Sequence, residues 1–279
     1  MKRTFWMFGA LCCLLVFTLA LFANDVYRLK YKMKEGTKLT YERTLSSEAL
    51  QEMMGSEQTS ESEANARVSL TSNGTDEDGN LVFTMAYDAL ELKIFSVQFD
   101  STFKDPEGMV GKRIKKTIQP NGDQVQSVEV DSFKSIRFAS TFTSDQELLP
   151  NLPTAKLKMN EPVTFEDVDS TRSFGGQIIS KTSSEYTLVG KESRSGYDCL
   201  KIAYVGILTL EGEGSRMGMN FFMEGDGDLE GTLYFAPDEG LLVDSEGVAD
   251  MEMTVAITGQ QNMTIPITQT LKTRLKLVK

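Results

Sequence analysis

The sequence predicts an all-β fold, and three features of the chain carry that prediction. Apolar and polar residues alternate with period two along much of the chain, as they do in half-buried strands. Turn sequences such as Pro120-Asn121-Gly122-Asp123 recur between these alternating stretches. Neither half of the chain shows a layer of helices that could cover a sheet. We therefore expect the strands of both halves to form one continuous sheet.

The first 23 residues predict a secretory signal peptide. Lys2 and Arg3 form a short basic region, and Phe5 to Ala23 is an apolar run without charge. Cleavage after Ala20 and cleavage after Ala23 both fit the pattern. The run is also close to the ~20 residues that span a bilayer, so a retained N-terminal anchor is the alternative. We expect residues 24–279 to lie outside the cytoplasm as a single β-rich domain.

The first half of that domain, residues 24–143, is predicted to consist of strands joined by tight turns. Val26 to Met33 predicts a strand whose buried face carries Tyr27, Leu29, Tyr31 and Met33. Lys34 to Thr37 predicts a turn, and Leu39 to Leu45 predicts the returning strand. Further strands are expected on both sides of a turn at 73–80 and on both sides of the turn at 120–123.

A break in the pattern falls at 144–162. Ser144 to Leu149 could begin one short helix. Three prolines then stop regular structure and stiffen the chain: Pro150, Pro153 and Pro162. We interpret this segment as the crossover between the two halves, 24–143 and 163–279.

The second half repeats the strand and turn pattern. Glu185 to Gly190 is expected to pair with Tyr197 to Leu208 across a turn at 191–196. Pro237 to Gly240 predicts the turn of a hairpin, because proline presets φ and glycine tolerates a left-handed conformation. The last strand should be half buried, with one apolar face formed by Ile265, Ile267, Leu271, Leu275 and Leu277.

The composition excludes several kinds of active site. The chain contains no histidine, which excludes Ser-His-Asp and Cys-His catalysis and every zinc site that uses imidazole. Cys199 is the one cysteine beyond the leader, and its strand-like surroundings predict a buried, inert thiol. The composition does not exclude catalysis by carboxylates alone, as in glycoside hydrolysis, but no arrangement of acidic residues in the sequence indicates such a site. We therefore predict that the protein is not an enzyme and uses no cofactor and no metal.

The charge of the chain bears on its partners. Lys2 and Arg3 leave with the signal, so 27 basic and 40 acidic residues remain, a net charge of 27 − 40 = −13. An acidic surface repels phosphate backbones, which argues against nucleic acid as a partner.

Methionine provides the candidate binding site. One cluster lies between glycine-rich acidic stretches, and a second lies in a loop-like region before a polar run. Flexible thioethers and phenyl rings suit an adaptable apolar surface, such as the mouth of a ligand groove or a partner-docking patch. The alternatives are ordinary core residues and copper(I) binding by thioethers. The candidate residues are Met53, Met54, Met217, Met219, Phe221, Phe222 and Met223.

Clustered carboxylates at 76–80 and 226–230 are a second candidate. Neither stretch completes a calcium-binding loop with its terminal bidentate glutamate. We interpret both as solvated hairpin turns, with weak calcium binding as the alternative.

Three passages resemble a family of exported bacterial β-rich proteins of unknown function: Thr117 to Val128, Leu148 to Val163, and Tyr234 to Val243. The last passage is also similar to a hairpin of the LolA-like lipoprotein carriers. This chain departs from those carriers in length and in its proline segment. The resemblance implies a large, curved antiparallel sheet or an incompletely closed barrel in the periplasm or outer cell envelope of a bacterium. It carries over no catalytic residue.

Two functions follow as expectations. In the first, the protein is a carrier whose concave face binds a lipid or another hydrophobic, acyl-chain-like ligand. In the second, it is a structural or protein-interaction component of the envelope with a filled core and an envelope protein as its partner. The two differ in whether the apolar concavity is empty or packed.

Overall fold

A computed structural model describes residues 25–53, 55–97, 99–131, 148–173, 176–216, 218–259 and 262–278. Over these residues the chain forms β-strands joined by turns and irregular segments, with a 3₁₀ turn at Pro106–Gly108. Within the described ranges, no helix has the length and apolar character needed to cross a membrane. The strands are β1 Val26–Tyr27, β2 Lys38–Met53, β3 Ser56–Thr75, β4 Leu81–Ser96, β5 Phe99–Lys104, β6 Arg113–Ile118, β7 Gln124–Glu129, β8 Leu157–Lys158, β9 Pro162–Ser173, β10 Gly176–Arg194, β11 Tyr197–Arg216, β12 Met219–Ala236, β13 Leu241–Thr258 and β14 Met263–Val278.

Twelve of these strands form one antiparallel sheet. Its order is β7-β6-β4-β3-β2-β14-β13-β12-β11-β10-β9, with β5 also beside β4, while β1 and β8 form a separate pair. Strands of the two halves meet where β14 pairs with β2. In the described part of the chain the two ends of this order do not pair, so the sheet is not closed into a barrel. The prediction of an all-β fold with a large, open antiparallel sheet is confirmed.

The sheet is strongly curved at one end, which we call the core end. The consecutive residues Tyr31 and Lys32 donate their backbone N–H groups to Pro120 in the β6–β7 turn and to Gly240 in the β12–β13 turn. Six strand-to-strand steps separate β6 from β12, a distance of about 29 Å along a flat sheet. Neighbouring residues can reach both turns only because the sheet curls around its inner face.

The core end is filled by side chains of the sheet and by two irregular segments. Residues 28–34 and 148–156 cross the inner face, where they contribute Leu29, Tyr31 and Leu152 to the main core cluster. The Tyr31 hydroxyl donates to the Pro150 carbonyl at 2.8 Å, which ties the two segments together. This packing buries the apolar residues that the sheet alone would leave exposed.

The predicted strand Val26 to Met33 is therefore wrong beyond Tyr27, although its alternation is correct. Leu29 and Tyr31 are buried, and Arg28 and Lys30, which alternate with them, are exposed. The segment is not a strand because its N–H groups bond to two different turns instead of to one neighbouring strand.

The predicted crossover contributes to the core as well as connecting the halves. Leu148, Leu149, Leu152 and Leu157 are buried in the main cluster. The short helix predicted from Ser144 lies mostly outside the described residues, which resume at Leu148.

The other end of the sheet, which we call the distal end, holds the turns that follow β2, β4, β9, β11 and β13. Eight strands have 16 to 20 residues, at least about three times the usual strand length. The strands therefore extend well beyond the filled core end. The predicted turns at 120–123 and 237–240 are confirmed, and the turn predicted at 73–80 is shorter than predicted because β3 continues to Thr75. All three lie at the core end, as does the β10–β11 turn. That turn is shorter than predicted, because β10 continues to Arg194.

Candidate functional site

The structure divides the predicted methionine patch among separate elements. Met219, Phe221, Phe222 and Met223 form the start of β12. Met53 ends β2, so the supposed loop before the polar run is mostly strand, and the polar run itself belongs to β3. The side chain of Met53, and residues Met54 and Met217, lie outside the described residues.

The β12 residues also divide between the two faces of the sheet. Phe221 and Met223 point to the inner face and are half buried. Phe222 points to the outer face opposite Glu213 and is 50% exposed. The patch predicted as one surface is therefore two surfaces, because successive side chains of a strand alternate.

Phe221 and Met223 belong to a larger apolar surface, which we call the distal apolar face. It consists of inward-pointing side chains on four neighbouring strands beyond the packed core end. Most are half buried. Its members are Leu208 and Leu210 on β11, Phe221, Met223 and Leu229 on β12, Met251, Met253, Val255 and Ile257 on β13, and Met263, Ile265 and Ile267 on β14.

Glycines directly opposite large side chains make this face smooth. Gly212 lies opposite Met223, and a Cβ added to this glycine would come within 3.4 Å of the Met223 methyl group. Gly225 and Gly227 lie opposite Met253 and Met251, whose Cγ atoms would stand 2.6 and 2.9 Å from added Cβ atoms. Each thioether side chain therefore occupies the space above a glycine, and the surface has low relief.

The same alternation makes the outer face of these strands acidic. Carboxylates stand directly opposite one another in three cross-strand pairs, Glu211 with Glu224, Asp226 with Glu252, and Asp228 with Asp250. Asp226 and its neighbours are thus in the middle of a strand, which corrects their interpretation as a turn. This geometry explains the alternating glycine and acidic residues on either side of the methionine cluster: the glycines occupy inner-face positions, and the acidic side chains point to the outer face.

Wide depressions lie on this polar outer side. One of about 590 Å³ is lined by Thr209, Asp226 and Glu252, and another of about 570 Å³ by Gln177, Glu213 and Phe222. At the core end, the space between Phe83 and Leu148 is only about 30 Å³, room for about one water molecule. Neither the filled core end nor these open depressions on the outer face form the enclosed apolar cavity of a buried ligand site.

Two tyrosines lie between the packed core end and the distal apolar face, on the neighbouring strands β10 and β11. The rings of Tyr186 and Tyr204 stack with their centroids 5.5 Å apart. Burial raises the pKa of Tyr204 to about 12, and it raises the pKa of Tyr186 still further. Both hydroxyls are therefore neutral at physiological pH and serve packing rather than proton transfer.

Cys199 is buried, as predicted. Its thiol lies beside Tyr197 and in a small cluster with Tyr234, Ala236 and Val243. Burial raises the pKa of the thiol to about 11, which keeps it protonated at neutral pH.

In the acidic turn at 76–80, the first carboxylate is hydrogen-bonded to other residues of the same turn. Asp76 accepts hydrogen bonds from the backbone N–H groups of Asp78 and Asn80 and from the Asn80 side chain. These bonds lower the pKa of Asp76, with the Asn80 side chain as the main cause. Among the described residues, no group of three or more acidic or cysteine side chains is arranged to hold a metal ion.

The partly buried carboxyl of Asp244 should make the stability of the protein depend on pH. Burial raises the pKa of its carboxyl, even though Arg274 and Arg194 oppose the shift. Because its folded-state pKa is raised, the carboxyl makes its full contribution to the stability of the protein below about pH 4, where it is neutral. That contribution is lost as the pH rises through the folded-state pKa, since the buried site disfavours the charged form. We expect Asp244→Asn to increase the free energy of unfolding at pH 7 and to leave it unchanged near pH 3, as urea titrations at both values would measure. Asp198→Asn, at an exposed carboxylate nearby, is the control, and a stabilisation that is equal at both pH values would contradict the assignment.

Several members of the distal apolar face were missed from the sequence. Met251, Met253, Val255 and Ile257 follow strict period two, so the signal was present in the chain. What the sequence could not supply was the register that sets these side chains opposite the glycines of β12.

No protein-family model matches the chain, and no curated protein matches it in sequence. The resemblance to LolA-like carriers stays a prediction.

Proposed function

We propose that the protein is an exported, non-enzymatic carrier that binds an acyl chain on the distal apolar face. The observation that supports this proposal is the face itself: twelve apolar side chains on four adjacent strands, most of them half buried, next to a core end that is already filled. Soluble proteins seldom leave so large a continuous apolar surface without a partner.

The shape and chemistry of the face favour an acyl chain. Met251 and Ile257 on β13 are six residues apart, which corresponds to about 20 Å along the strand. That is the scale of one extended long acyl chain. Thioether side chains lying over glycines adapt to a flexible ligand, and the face has few polar groups that would recognise a polar one.

In this proposal the ligand lies on an open face instead of inside a cavity. The competing function is a structural or interaction component of the envelope. The filled core end favours this structural function. A test for a bound lipid distinguishes it from the carrier function.

The first test is native mass spectrometry of the protein isolated from its own envelope without detergent. We expect an extra mass that organic solvent releases as a lipid. A fluorescent fatty acid then measures affinity. Met253→Asp should weaken binding by about tenfold or more, because a charge replaces a half-buried contact.

Thr254→Asp is the matched control, since Thr254 is the next residue of β13, is also half buried, and points to the outer face. Its effect should be less than about twofold. A bare mass together with no probe binding, or equal losses in both variants, would reject the carrier and leave the structural function.

A further inference from the structure

The turns at the two ends of the sheet differ in chemistry. At the core end they are polar: Asp76 to Asn80, Gln119 to Asp123, Ser195 with Gly196, and Pro237 to Gly240. At the distal end, the β4–β5 turn exposes Val97 at 82%, and its flanking residues Phe95 and Phe99 are 53% and 44% exposed. Among the described residues, the three phenylalanines that are exposed to solvent, Phe95, Phe99 and Phe222, all lie towards the distal end.

A second distal turn shows the same property. Met219, directly after the β11–β12 turn, is 45% exposed, and Phe222 is also largely exposed on the outer face. The two turns belong to hairpins that are five strand-to-strand steps apart, about 24 Å along the sheet.

We infer that the distal turns dock on the surface of a lipid bilayer composed of zwitterionic lipids. Hairpin tips can enter an apolar environment at low cost, because antiparallel pairing satisfies the backbone of their strands. Widely separated apolar tips offer a peptide no groove, but they can all contact one extended apolar layer.

The charges beside the tips select the kind of bilayer. Asp100 lies directly opposite Phe95, and Glu213 lies directly opposite Phe222. These carboxylates would be repelled by the negative potential of an anionic membrane over about 8–10 Å. Neutral phosphatidylcholine vesicles should therefore bind better than vesicles that contain an anionic lipid at low ionic strength.

This inference goes beyond the acyl-chain proposal and does not depend on it. Vesicle binding by the tips requires no ligand on the distal apolar face. If both hold, the distal end is where a chain would pass from the bilayer to the face, because Met219 and Phe221 lie on the inner side of the same strand.

Flotation with phosphatidylcholine vesicles of the protein isolated from its own envelope without detergent tests the docking. We expect the protein to float with the vesicles, and the double substitution Phe95→Asp with Val97→Asp to reduce partitioning by about tenfold or more. The control is Val125→Asp with Val128→Asp on β7, whose side chains are 53% and 44% exposed but lie away from the distal end. Failure of the unsubstituted protein to float, or equal losses in the two double variants, would overturn the inference.

A fluorescence readout locates the contact. Trp6 is the only tryptophan of the chain, so Trp6→Phe combined with Val97→Trp leaves one reporter at the β4–β5 turn. Its emission should shift to shorter wavelength when phosphatidylcholine vesicles are added. A tryptophan introduced by Val128→Trp in the same background should show no shift, and an equal shift at both positions would contradict docking through the distal end.

Discussion

Replacing Phe235 with alanine is expected to lower the free energy of unfolding by about 3–5 kcal/mol. Phe235 has no exposed surface and lies in the main core cluster, where its ring meets that of Tyr31 edge to face at 5.8 Å. It lies opposite Leu200 on β11 and Leu242 on β13. Strands on both sides and the segment of residues 28–34 above hold the surrounding backbone, so the cavity cannot collapse.

Urea titration followed by circular dichroism measures this loss. Phe222→Ala on the same strand is the matched control, because Phe222 is half exposed on the other face and should change stability by about 0.5 kcal/mol or less. If the two substitutions cost the same, the core end does not depend on Phe235 as its packing indicates.

Alanine at Gly231 is expected to destabilise the protein by about 1–3 kcal/mol through overpacking. Gly231 lies between Tyr204 on β11 and Gly247 on β13. A Cβ at residue 231 would overlap the Tyr204 hydroxyl and the Glu246 carbonyl oxygen. The tyrosine ring therefore needs glycine beneath it, and the strand cannot move away without breaking its pairing.

A double-mutant cycle identifies the cause. In a Tyr204→Ala background the Gly231→Ala change should cost less, with a coupling of about 0.5–3 kcal/mol. Gly190→Ala is the control glycine, because an added Cβ there meets nothing within 4 Å. It should be neutral or slightly stabilising, since glycine costs more conformational entropy than alanine in a strand. Additive effects at 204 and 231 would show that the ring is not the obstacle.

The distal apolar face and the acidic outer face arise from the same stretch of sequence. Along β12, Gly225 and Gly227 alternate with Glu224, Asp226 and Asp228. As a sequence, this looks like a flexible, charged loop. In the sheet it is a regular strand, because Met251 and Met253 of β13 cover the positions at which the glycines have no side chain.

The predictions that were confirmed rest on signals between residues close together in the chain. Period-two alternation placed Leu275 and Leu277 on a buried face, and turn chemistry located the β12–β13 turn at Pro237 to Gly240. Both signals depend on residues close together in the chain. The segment after Tyr27 shows the limit of this reasoning, since alternation reports burial but not the partner of each backbone N–H.

From the amino-acid sequence alone it can be predicted that the protein is all-β, where its turns at the core end lie, and which side of each alternating stretch is apolar. These properties follow from residue types and their spacing. Three further features come from long-range packing: the sheet curls at one end and stays open, residues 28–34 and 148–156 fill the core end, and methionines lie over glycines. Those features depend on pairings between residues far apart in the chain, such as β14 with β2, and no local pattern specifies such a register.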